Sequence, residues 1–74
     1  MDGKTPFGTR FKLLRKEKNL KQEDISNQLG LDISTIHRYE NNKREPEFII
    51  LVKIADFFDV STDYLLGRTD KRKG

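Results

Sequence analysis

Apolar residues recur along the chain at helical rather than strand spacing, in five runs separated by short polar breaks. Phe7, Phe11 and Leu14 make the first run. Thr5 ahead of Pro6 offers an N-cap followed by proline at the first helical position, and Asn19 supplies a stop. A helix from Pro6 to Lys18 is predicted, with Arg10, Lys12, Lys16 and Lys18 on its outer face.

The second run predicts a helix from Gln22 to Leu29, with Glu23 and Asp24 in the first turn and Ile25 and Leu29 pointing inward. Gly30 ends it, because glycine tolerates the positive φ of a helix stop. A third helix follows at once, with Asp32 at its N-cap and Ile36 and Tyr39 on its buried side. The polar stretch Asn41 to Pro46 breaks the pattern. The fourth helix, Glu47 to Phe58, turns Phe48, Leu51, Ile54, Ala55 and Phe58 inward. After the turn Asp59-Val60-Ser61, Ser61 caps a short fifth helix that runs to Leu66 and stops at Gly67. Residues 68–74 follow as a charged tail expected to be mobile. The fold class is all-α, one compact five-helix domain over residues 1–67.

Composition narrows the function. A chain of 74 residues holds one domain, and no cysteine is present to form a disulfide or a thiolate metal site. His37, the single histidine, cannot build a metal site by itself, and no Gly-rich phosphate loop occurs. An enzyme is therefore not expected, nor is a cofactor. No apolar run approaches the roughly 18 residues of a membrane span, and the N-terminus lacks the order of a signal peptide. A cytoplasmic location without membrane contact is the expectation.

Net charge is +3, unevenly spread. From Glu45 to Leu66 a single base, Lys53, faces five acids, which leaves that segment at −4 and the remainder at +7. Either the basic part addresses a polyanion or the charges are ordinary solvated surface.

Residues Gln22 to Glu40 are the most informative. Two short helices joined by a tight turn can cross steeply when Ile25, Leu29, Leu31, Ile36 and Tyr39 face each other, with Ser26 small at the approach and Gly30 in the turn. That is the pattern of a helix-turn-helix, although a generic helical hairpin would share part of it.

Beyond that pattern, the chain resembles the lambda-repressor-like (Cro/C1-type) helix-turn-helix regulators from about Phe7 to Gly67. The resemblance is carried by Leu14-Arg15, Gln22-Glu23-Asp24-Ile25, Leu29-Gly30, the run Ser34 to Asn41, Lys43-Arg44-Glu45-Pro46, and Val60 to Gly67. It implies a five-helix domain with the third helix in the major groove of double-stranded DNA. Gln22 resembles the family glutamine that meets a phosphate. Arg15 and Glu40 match a family pair that joins the first helix to the end of the third, and Gly30 and Ile36 support the same helix. Asn41, Asn42, Lys43 and Arg44 resemble the family's backbone clamp, with amide N–H groups and two cations available to phosphates. The chain departs from the family at Asn42, where glycine is common, and at Lys21, where a Ser or Thr cap is usual. Lys21 gains a chance at phosphate, while the second helix is expected to begin less sharply.

The outward face of the third helix is expected to hold Ile33, Ser34, His37 and Arg38. Arg38 suits either two parallel bonds to guanine or a phosphate, and Ile33 suits a thymine methyl. Ser34 can donate or accept; His37 suits base, backbone or the rim.

The functional expectation is a transcriptional regulator, a repressor acting as a homodimer on a palindromic operator and weakly associated or monomeric when free. The alternative is a protein-interaction module, antitoxin-like or bound by an antirepressor. Leu13 and the several apolar faces of the fourth helix (Ile49, Ile50, Phe57) leave room for a protein partner at helices four and five, or simply complete a small core.

Overall fold

The computed structural model describes residues 6–73, and the expected Thr5 cap lies outside them. Five helices follow in order: α1 Phe7–Glu17, α2 Gln22–Leu29, α3 Ile33–Glu40, α4 Phe48–Phe58 and α5 Thr62–Leu65. Each begins within one residue of its expected start. Pro6 occupies the cap position of α1 rather than its first turn.

The stops follow residues that accept left-handed backbone. Asn19, Gly30, Asp59 and Gly67 all have φ between 57° and 77°. The starts use less side-chain capping than expected. Ser61 accepts from the Tyr64 N–H at 3.0 Å, but the Asp32 carboxylate makes no such bond. Lys21 has no acceptor to offer; instead Asp24 reaches back to the Lys21 N–H at 2.8 Å, and α2 starts sharply on that half of a capping box.

α3 packs between α1 and α2, while α5 bridges α4 and α1. Phe11, Ile25, Ile36, Ile54 and Leu65 are fully buried at the centre, one from each helix. Phe11 stands edge-on to Phe58 and tilted to Tyr39, so α1 meets both α3 and α4 through aromatic contacts.

Two inward and outward assignments are corrected. Phe48 is 85% exposed, because it opens α4 one turn before the first core residue of that helix, Leu51. With Ile49 and Val52 it forms an uncovered apolar face, whereas Ile50 and Phe57 pack against the core. Arg10, expected on the outer face of α1, is buried. Its Nη1 donates to the carbonyls of Tyr64 and Thr69 at 2.9 and 2.7 Å, and its Nη2 to Asp70 at 2.8 Å. The guanidinium also lies 4.4 Å over the Tyr64 ring.

Residues 68–73, expected as a mobile tail, lie against the domain through these bonds. Arg72 adds a two-pronged pair with Glu17 at 2.7 Å, and Lys73 pairs with Asp59. None of the described helices is long and apolar enough to cross a membrane.

Candidate nucleic-acid interface

Helix α3 has two chemically distinct sides. Ile36 and Tyr39 enter the core, while Ile33, Ser34, His37 and Arg38 are exposed on the opposite side. The α2–α3 turn sets this orientation. Gly30 takes φ 68°, Leu31 N–H returns to the Ser26 carbonyl at 3.1 Å, and the Ser26 hydroxyl donates to the Leu31 carbonyl. Leu29 and Leu31 pack beneath. Ser26 thus ties the turn as well as being small.

The far end of α3 is fixed by charge. Glu40 is buried, and Arg15 meets both its oxygens, through Nε at 2.6 Å and Nη2 at 2.9 Å. Arg15 Nη1 also donates to the Leu20 carbonyl at 2.8 Å, which secures the α1–α2 turn. Hydrogen bonding to Glu40 raises the Arg15 pKa further, so this cation persists throughout the accessible pH range. Gln22 Nε2 donates to Glu40 Oε1 at 3.1 Å. That bond aims the half-buried Gln22 amide from the first turn of α2 and leaves its oxygen and one N–H for another partner.

Two bonding arrangements revise the loop that follows. The N–H groups of Asn41, Asn42 and Lys43 are committed to the carbonyls of His37, Tyr39 and Arg38 at 3.1, 3.1 and 2.9 Å. The expected clamp of backbone amides is therefore largely occupied, and the side chains of Lys43 and Arg44 remain exposed. Asn41, expected at a phosphate, turns its amide onto α3: Nδ2 donates to the His37 carbonyl at 2.8 Å and lies 3.1 Å from His37 Nε2. Asn42 takes φ 58°, the conformation for which family members use glycine, and its Oδ1 accepts the Gly8 N–H at 2.9 Å.

Gly8 is a packing position that the sequence did not flag. A Cβ there would stand 2.1 Å from the Tyr39 carbonyl oxygen and 2.6 Å from Asn42 Oδ1, so α1 and α3 touch backbone to backbone. A glycine inside a helix costs about 1 kcal/mol against alanine, which is a signal that packing demands it.

Lys21, Arg38, Lys43 and Arg44 are exposed and form no ion pair among the described residues. By contrast Arg10, Arg15, Arg68, Arg72 and Lys73 are all paired with acids. Lys12, Lys16, Lys18, Lys53 and Lys71 also form no ion pair among the described residues; Arg38, Lys43 and Arg44 are the unpaired cations of α3 and the loop after it, and Lys21 precedes α2. No group of His, Cys, Asp and Glu among the described residues has the arrangement of a metal site.

A family model described as a helix-turn-helix domain matches residues 8–71. The chain belongs to that family, in its lambda-repressor-like branch. It is 38% identical over 67 residues to the uncharacterised HTH-type transcriptional regulator YqaE of Bacillus subtilis, covering 90% of this chain and 58% of that protein. Among solved structures it is similar to the P22 c2 repressor in complex with a synthetic operator (TM-score 0.80, 26% identity, 84% of this chain and 94% of that one). It is also similar to a chain of the SinR–SinI protein complex (TM-score 0.74, 31% identity, 81% and 59% covered). The domain is that of a DNA-binding regulator rather than of an enzyme. The chain spans a little more than half the length of the first curated relatives it matches.

Proposed function

We propose that this chain represses transcription from a palindromic operator, two copies binding side by side with α3 of each in the major groove. The observation that carries the reading is the division of α3 into a core side and an exposed side of Ile33, Ser34, His37 and Arg38, flanked by unpaired cations. Ile33 and Ser34 stand at the N-terminal end of α3, where side chains reach base edges most easily. Arg38 can form two parallel bonds to guanine O6 and N7. Lys21, Lys43 and Arg44 hold phosphates, as does Gln22 at the α2 N-terminus, where unbonded N–H groups favour an anion.

One such domain presents one short helix, so useful affinity requires two half-sites about one helical turn apart. The P22 c2 repressor, a similar protein, is seen on an operator. The uncovered face of Phe48, Ile49 and Val52 suits contact between copies, and association is weak away from DNA. The cytoplasm is the corresponding compartment.

A second reading is favoured by that same apolar face: it can receive a different protein, as the similar SinR chain is in complex with SinI. A fluorescence titration on mixed-sequence DNA at low and raised salt tests the first reading. With three phosphates neutralised by Lys21, Lys43 and Arg44, affinity should fall about 40-fold between about 50 and 200 mM salt. Absence of binding at low salt would leave the protein-partner reading.

A further inference from the structure

Asn41 and His37 stand one turn apart at the C-terminal end of α3, both exposed. A backbone carbonyl can only accept, so the 2.8 Å contact to the His37 oxygen identifies the Asn41 atom as the NH2 nitrogen. The same nitrogen lies 3.1 Å from His37 Nε2. An amide nitrogen cannot accept, so at this distance its second proton is the one to be shared and the ring nitrogen must be the unprotonated one. In a neutral imidazole the hydrogen is therefore on Nδ1. Nδ1 meets no hydrogen-bond partner among the described residues.

We propose that Asn41 is a positioning residue for DNA reading: it holds His37 as the Nδ1–H tautomer, so that His37 meets the duplex as a hydrogen-bond donor. This rests on the DNA-binding reading above and deepens it. A donor at this position selects acceptor edges, namely guanine N7 or O6, adenine N7 or thymine O4, and rejects the N4 amino group of cytosine. A solvated imidazole ordinarily prefers the opposite tautomer, with hydrogen on Nε2, which would present an acceptor at Nδ1. One exposed amide outside the recognition helix thus sets the sign of the contact.

The chain has one histidine, so its ring nitrogens can be observed alone. Long-range proton–nitrogen correlation spectra of the 15N-labelled chain at pH 8 should show a protonated Nδ1 and an unprotonated Nε2. Asn41→Ala should shift the ring towards Nε2–H and leave the melting temperature within a few degrees. In sequences selected from a random DNA pool, the same substitution should weaken the preference at one base pair per half-site about three- to tenfold. A predominant Nε2–H ring in the unsubstituted chain, or a tautomer indifferent to Asn41→Ala, would overturn the proposal. So would identical selected sequences for the two chains. Loss of all DNA binding by the unsubstituted chain would instead overturn the DNA reading, and the spectra would still decide the tautomer.

Discussion

Arg15 lies parallel to the Glu40 carboxylate, Nε against one oxygen at 2.6 Å and Nη2 against the other at 2.9 Å. The Glu40 side chain is 1% exposed and that of Arg15 11%, so water screens the pair little. Removing one partner strands the other. Arg15→Met is expected to cost about 3–5 kcal/mol in urea unfolding. Arg15→Lys should recover little, because one ammonium cannot span both carboxylate oxygens and the Leu20 carbonyl together. A loss below about 1 kcal/mol for Arg15→Met would show that the pair behaves like an exposed one.

Gly8 and Gly30 should respond differently to alanine. Gly8→Ala drives a methyl into a backbone oxygen that cannot move independently, and about 3 kcal/mol or more of stability should be lost despite alanine's helix propensity. At Gly30 nothing lies within 4 Å, and only the φ of 68° opposes a side chain. Gly30→Ala should cost about 1–2 kcal/mol. Thermal melts of the two variants check the order.

Arg38→Ala and Lys43→Ala should separate base reading from phosphate holding. The first should change the preferred base at one or two positions per half-site. The second should weaken all sequences alike and reduce the salt slope by about one. Equal, sequence-independent losses would move Arg38 to the phosphates.

Arg72 sits on Glu17 and, by hydrogen bonding, holds its carboxyl below the ordinary glutamate range. A depressed folded-state value means that the contribution is complete above the unfolded value and disappears as pH falls through the folded one. The melting-temperature difference between the unsubstituted chain and Glu17→Gln should therefore be present at neutral pH, begin to shrink near the ordinary glutamate value of about pH 4, and vanish in stronger acid. It should be small, since both side chains are over two-fifths exposed.

Phe48→Ser is expected to leave monomer stability within about 0.5 kcal/mol, because the ring packs against nothing it would leave empty. If copies meet through this face, affinity for a two-half-site operator should fall while affinity for a single half-site stays the same. Gel shifts on the two duplexes distinguish these effects.

Helix order, stops and core were legible because each helix carries one apolar stripe between punctuating residues. The errors have physical causes. Arg10 shares the stripe of Phe7, Phe11 and Leu14 by spacing, yet its charge argued for the surface. The carbonyls of Tyr64 and Thr69 and the Asp70 carboxylate, over fifty positions away, make its burial tolerable. Phe48 shares the stripe of α4 but overhangs the end of the core. In the interface, helical spacing marked the outward face of α3, while the Arg15–Glu40 pair was implied by the resemblance to the family. The chain alone did not show that the amides after α3 are already occupied, nor that Asn41 folds back on His37, since both depend on how the loop closes.

The contact at Gly8 has an evolutionary corollary. With the two backbones at their closest approach, α3 has no room to sink towards α1, and the clasp of Arg15 on Glu40 opposes its rising. On the proposed DNA-reading role of α3, a lineage of such domains acquiring a new operator would exchange side chains at positions 33, 34, 37 and 38, rather than tilt the rod that bears them.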